Sequence, residues 1–415
     1  EAVLKTGNIT FKKDNGQGQY LYETAYPNEQ VTDPINKTID GSTASEQVYK
    51  EAGVYKSDTD TYKFTKNPAT VNGDSGAAVD AGAKNIHVDS GENTLNLNGG
   101  NTGVGVKAEG GKTADIKGSA NITGKTGVAA DGAGSKVLLS GTSNITAEGD
   151  GIVASAGGKA VRAGAGSSVS LRNGKLKGDV EADNGIVSLH GAETEGNATA
   201  AAGGSINLIG GSVAGQVMAK DGSSQATIRN ATVKDLIGAH GGTASIAGGI
   251  VTGTVSADGG TVKAENTKVN ESVNAKNGGT VELKQGSADS LASEGGRIAV
   301  NGTAVKGDAS VNAGGIVEMI GGSVGGNATA DNGNLSVNDG TVIKGKVSSL
   351  NGGTVALKKS TAGAIAAAGG AITADETAVM GDASANAGGT VKLIGSSVGG
   401  AVTADNGTIE TENTN

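Results

Sequence analysis

Gly278-Gly279-Thr280-Val281-Glu282-Leu283 returns, little changed, as Gly388-Gly389-Thr390-Val391-Lys392-Leu393, and more loosely throughout the second half of the chain. In each copy a glycine pair is followed by two apolar residues separated by one polar residue, the period-two sign of a strand half-buried on one side. The residue opening each glycine-rich turn falls at Asn184, Gly203, Gly222, Gly241, Gly259, Gly278, Gly295, Gly314, Asn332, Gly352, Gly369, Gly388 and Asn406, at spacings of 17 to 20 residues. A fixed period of this length is the mark of a stacked repeat architecture.

With the opening residue counted as position 1, small or branched apolar residues recur near positions 4, 6, 11, 15 and 17. In the unit from Gly241 these are Ala244, Ile246, Val251, Val255 and Ala257; in the unit from Gly388 they are Val391, Leu393, Val398, Val402 and Ala404. Three short apolar segments per unit, parted by Gly, Asn or Asp, predict a coil of three strands and three turns. One coil cannot bury its inner face alone, whereas stacked coils align equal positions into a continuous core. Glycine suits the corners, where positive φ or tight turning strains other residues. The expected fold is therefore all-β: an elongated parallel β-helix, right-handed by the usual preference of parallel crossovers.

Upstream the period lengthens. Gly103, Gly127 and Gly151 each open a Gly-Val or Gly-Ile segment, and Asn121-Ile122-Thr123 is echoed 23 residues later by Asn144-Ile145-Thr146. Residues 71–184 thus read as β-helix with coils of about 24 residues and residues 185–415 as one with coils of 18–19, continuous but changing in cross-section. All eight aromatics (Phe11, Tyr20, Tyr22, Tyr26, Tyr49, Tyr55, Tyr62 and Phe64) lie before residue 65, and the last proline is Pro68. Residues 1–70 are accordingly a separate unit, placed to cap the exposed edge of the first coil. Within it, Thr43 and Glu46 have capping-box spacing ahead of a short helix over 47–52, stopped by Gly53. Asn406–Asn415 begins a further coil, which points to a chain that continues, and Glu1 reads as a processed start.

Composition narrows function. Glycine is 74 of 415 residues, aromatics are 2 %, and cysteine is absent, which excludes disulfides and Cys-based metal or redox sites. A net charge of −9 argues against nucleic acid as partner. No apolar run is long enough to cross a bilayer as a helix.

The Gly-Gly-Thr-Val repeats resemble the passenger domains of autotransporters, specifically the self-associating adhesins of the diffuse-adherence and antigen 43 type. The resemblance covers residues 76–415 and leaves 1–70 outside it. It implies a C-terminal translocation barrel absent from this chain, a place at the Gram-negative cell surface, anchored to the outer membrane or released, and roles in adhesion, autoaggregation and biofilm. Some relatives carry sugars on Ser or Thr. Position 3 offers such hydroxyls at Ser205, Ser224, Thr243, Thr261, Thr280, Thr354, Thr390 and Thr408, which equally make a β-compatible column without modification.

Candidate chemistry is thin. Gly73-Asp74-Ser75-Gly76 matches the nucleophile tetrad of chymotrypsin-like proteases, but that mechanism needs a His and an Asp upstream in the chain, and the first His is His87. A polysaccharide-degrading β-helix enzyme needs clustered carboxylates. His190 and His240 lie at unrelated repeat positions, and Asp179/Glu181 and Asp375/Glu376 read as solvated rim residues. No catalytic, cofactor or metal site is expected. Two binding readings remain. In the first, the flank of the helix binds the same flank on a neighbouring cell through charges of both signs at position 5: Lys263, Glu282, Glu318 and Lys392. In the second, Tyr20, Tyr22 and Tyr26 belong to a head that binds a host surface protein or glycan, and the helix is its stalk.

Overall fold

In the computed structural model, residues 10–12, 21–23, 35–41, 54–56, 61–64, 67–147 and 158–415 are described. They contain strands and turns and no helix; the segment expected to form a short helix, 47–52, lies outside them. The strands stack in parallel register into a β-solenoid of about 16 turns. Two compact units result: residues 1–161 with 167–174, and residues 162–166 with 175–415.

In the second unit each coil has three faces. The coil from Gly241 is typical: Thr243–Ala247 on the first face, Ile250–Val251 on the second, Val255–Asp258 on the third. Each segment pairs with its equivalent in the next coil, Thr243 with Thr261, Ile250 with Lys268 and Val255 with Val273. The expected columns are the core. Val262, Val269, Val273 and Ala275 are at most 3 % exposed, and Ala264 is 5 % exposed. Removing such side chains from water contributes roughly 1.5–3 kcal/mol for each Val, Leu or Ile. The core is about one side chain deep from each face, so it is filled by Val, Ala, Ile and Leu and has no room for aromatics.

The glycine pair divides two tasks. Asn277 and Gly278 turn the corner with φ of 51° and 74°, a left-handed pair in which the second residue is glycine. Gly279 is there for proximity: a β-carbon on it would overlap the Ala257 carbonyl of the preceding coil. The same overlap with the coil before recurs at Gly242, Gly353 and Gly389.

The first unit follows the same plan with a longer second face. Its segment there runs 94–98 and 119–123, five residues in place of two, with Leu95 opposite Ala120 and Leu97 opposite Ile122. That lengthening accounts for the larger coil. The register corrects one reading of the sequence: Val104 pairs with Thr126 and Val106 with Val128, an advance of 22, so Gly103 is not the equivalent of Gly127. Gly105 and Gly127 are the matching pair, each with the side chain of an isoleucine (Ile122, Ile145) where its β-carbon would stand. Gly151 lies outside the described residues.

Three described pieces of the N-terminal segment cover the first coil. Thr61–Phe64 lies parallel to Ile86–Asn98, with Tyr62 opposite Val88, while Ile35 bridges to Val71 and Ile39 to Val79. Tyr62, Phe64, Ile35 and Ile39 are all buried. Val54–Lys56 then pairs antiparallel with Thr61–Phe64, ending the parallel stack.

Candidate interaction faces

The position-5 residues form one outward column on the first face of the second unit. Lys263 stands opposite Glu282, Glu282 opposite Ala299, Ala299 opposite Glu318, and farther on Thr373 opposite Lys392 and Lys392 opposite Glu410. Of Lys263, Glu282, Glu318 and Lys392, all but Lys392 also meet an opposite charge among the described residues. Lys263 Nζ lies 3.7 Å from Glu282, and Arg297 at position 3 forms an ion pair with Glu318. Position 7 repeats the arrangement, with Lys284 3.1 Å from Glu265. About half of each Lys263 and Glu282 side chain remains open to solvent, so these pairs contribute little to stability and keep a free side.

At position 3 the hydroxyls share one column, interrupted by Arg297, Ile316, Asn334 and Ala371, and Ser224 is not in it. The corner at 221–224 carries one extra residue, so Gln225 stands between Ser205 and Thr243. Ser224 turns inward instead, donating to Asp221, which also accepts the Ala202 N–H at 2.6 Å; these bonds, Ser224's first, hold the Asp221 carboxyl below its ordinary range.

The protease-like tetrad has a structural explanation. Asp74 accepts the backbone N–H of Thr38 at 2.9 Å and Lys37 Nζ at 3.0 Å, and Ser75 Oγ shares a 2.9 Å hydrogen bond with Thr38 Oγ1. Asp74-Ser75 therefore fastens residues 37–38 to the first coil. His87 sits on another strand and pairs with Asp115 at 3.3 Å. His190 lies on the first face opposite Ile209, whereas His240 occupies a corner at φ 47°. Asp179 caps a turn, accepting the Asn197 N–H at 2.9 Å. Among the described residues no group of three or more His, Asp or Glu is placed to hold a metal ion.

Of the three tyrosines considered for a head, Tyr20 and Tyr26 lie outside the described residues. Tyr22 lies in Leu21–Glu23, which pairs antiparallel with Thr10–Lys12.

Two further faces carry polar patterns that the period alone does not single out. On the second face of the first unit, amides climb from coil to coil. Asn98 Nδ2 donates to Asn72 Oδ1 (2.8 Å) and Thr123 Oγ1 to Asn98 Oδ1 (2.8 Å); alongside, Asn121 Nδ2 donates to Asn96 Oδ1 (3.1 Å) and Asn144 Nδ2 to Asn121 Oδ1 (3.3 Å). On the second face of the second unit, a shallow groove of ≈ 550 Å³ is lined by Lys268, Ser287, Asp289, Lys306, Ser323 and Lys344. The signal for the groove was present as lysines 38 residues apart, two coils at a time.

No protein family, curated protein or solved structure matches the chain. What the fold and its faces define is a class: a parallel β-helix repeat protein whose outward columns repeat once per coil.

Proposed function

We propose that this chain is the passenger of a bacterial surface adhesin, of the self-associating autotransporter kind its repeats resemble, and that it joins cells by binding a second copy along its first face. The observation that carries the reading is the position-5 column, where Lys263, Glu282, Glu318 and Lys392 set both signs of charge on one outward stripe, Glu318 and Lys392 half-buried. A copy running the opposite way can place its acids against these lysines. Each such contact is worth about 0–1 kcal/mol when exposed, so the bond between cells comes from many contacts made together. On this reading the barrel that holds the passenger in the outer membrane lies outside residues 1–415.

The test displays the chain on a non-aggregating strain and follows settling. Lys263→Glu with Lys392→Glu makes the stripe acidic, and Glu282→Lys with Glu318→Lys makes it basic. Each variant alone should stay suspended, and a mixture of the two should settle. If both settle alone as fast as the parent, or the mixture does not settle, the stripe is not the contact. The N-terminal segment and a host receptor then become the stronger reading.

A further inference from the structure

Among the described residues, the second face carries a regular row of lysines without partners, whereas the first face mixes paired lysines with unpaired ones such as Lys358 and Lys392. On the first face Lys263 and Lys284 each have an acid within ion-pair distance, and at the end of the third face Lys276 lies 3.4 Å from Asp258. Lys234, Lys268, Lys306 and Lys344 have no side-chain hydrogen bond or ion pair among the described residues, and all four are exposed. They occupy alternate coils. Lys268 is in register with Ser287, Ser287 with Ala304, Ala304 with Ser323, and Ser323 with Val342; Lys306 and Lys344 follow Ala304 and Val342 by two residues, on the same outward side of the strand. Two coils advance roughly 10 Å along the stack. The coils between contribute Thr252, Ser287 and Ser323, and Gly325, without a side chain, leaves a notch between Lys306 and Lys344. Asp289 is the one acid in the groove lining.

We propose that this groove binds a linear acidic polysaccharide with one carboxylate or sulfate per disaccharide. A row of unmatched cations on a chain of net charge −9 marks a local reversal of sign that attracts a polyanion. The spacing selects the kind. A DNA duplex carries a charge about every 1.7 Å of its axis, far denser than one lysine per roughly 10 Å. An extended glycan with one charge per disaccharide repeats on the scale of two coils, and its hydroxyls meet the Ser and Thr between the lysines. The site is on a different face from the position-5 column and does not depend on homotypic adhesion.

The experiment measures binding of a hyaluronan decasaccharide to the purified chain at low salt. Lys234→Gln, Lys268→Gln, Lys306→Gln and Lys344→Gln together should weaken it about tenfold or more, since four exposed contacts each worth a few-fold are lost. The matched set Lys220→Gln, Lys276→Gln, Lys284→Gln and Lys358→Gln, with the same change in net charge, should weaken it less than about twofold. Asp289→Asn should strengthen it. Circular dichroism and melting of each variant establish that it is folded. No binding by the parent, equal loss in both lysine sets, or tighter binding of duplex DNA than of the decasaccharide would overturn the proposal, the last by making nucleic acid the ligand. None of these variants touches Lys263, Glu282, Glu318 or Lys392, so settling reports separately on self-association.

Discussion

Asp235 Oδ1 occupies the space in which a β-carbon of Gly253 would stand, and from there it accepts the backbone N–H of Thr254 at 2.8 Å and the Thr254 hydroxyl at 3.2 Å. The same three-residue relation recurs one coil to the next: Asn197 with Gly215 and Gln216, Asp308 with Gly326 and Asn327, Asp382 with Gly400 and Ala401. A side-chain oxygen from one coil caps the corner of the next, and glycine before that corner makes room for it. Gly253→Ala should therefore cost about 0.5–3 kcal/mol, by displacing the cap and leaving a part-buried N–H without its partner. In an Asp235→Ala background the same glycine change should cost less, because most of the obstruction is gone. Chemical denaturation of the four chains in a double-mutant cycle reads this coupling, and strict additivity would disprove it.

The Asp74 clamp makes a prediction about acid. Its carboxyl is held below the usual carboxylate range, first by the Thr38 N–H and then by Lys37. A lowered folded value gives a contribution to stability that is complete above the ordinary range and is lost as pH falls through Asp74's own value. The side chain is 40 % exposed, so the effect is local and modest. Amide protection at residues 37–39, taken relative to the intrinsic exchange rate at each pH, should fall on acidification, and in Asp74→Asn it should already be low at neutral pH. Ser75, bonded to Thr38, should not react with serine-directed fluorophosphonates.

How far the sequence could be read follows from what each residue touches. Columns 4, 6, 11, 15 and 17 are legible because burial alternates with exposure in all but the last coil, and the inward positions are apolar with few exceptions, such as Ser293 and Ser349 on the third face. The glycine corners were legible as corners. Their division was not, because Gly278 answers to its own φ and Gly279 to the Ala257 carbonyl of another coil. Gly105 and not Gly103 is the partner of Gly127; Gly103-Val104-Gly105-Val106 offers the same dipeptide twice, and only the packing of Ile122 picks the second. One inserted residue at 221–224 moves Ser224 out of its repeat position and puts Gln225 there. The position-5 residues were legible as one column. That Lys263 is already paired with Glu282 was not, since it depends on side-chain reach between adjacent coils.

Asp80 should behave in the opposite sense from Asp74. Burial, the largest influence, pushes its carboxyl up, with Lys107 opposing; its Oδ1 is buried without a hydrogen-bond partner. With a folded value above the unfolded one, the native state holds the proton longer, and stability declines as pH rises from the ordinary value through the raised one. Asp80→Asn should then raise the melting temperature at neutral pH and leave it nearly unchanged near pH 3. An equal effect at both would mean that the amide acts by shape rather than by removing a charge.

The last prediction concerns how damage spreads through a stack. Ile298 is completely buried, flanked in its column by Val281 in the preceding coil and Val317 in the following one. Ile298→Ala removes three carbons from a core one side chain deep, and the coils on either side are tied by backbone ladders that limit collapse into the space. The cost should be about 2–5 kcal/mol. In a stacked repeat each coil is stabilised only by its own folding and by the interfaces to its two neighbours, so the loss should be felt first in the coils opened by Gly278, Gly295 and Gly314. Hydrogen exchange should show protection falling around residues 280–320 while amides of the coils from Gly203 and Gly369 keep theirs. A uniform drop across 185–415 would mean that the second unit unfolds as one cooperative block, with interfaces strong enough that no coil can open without the rest.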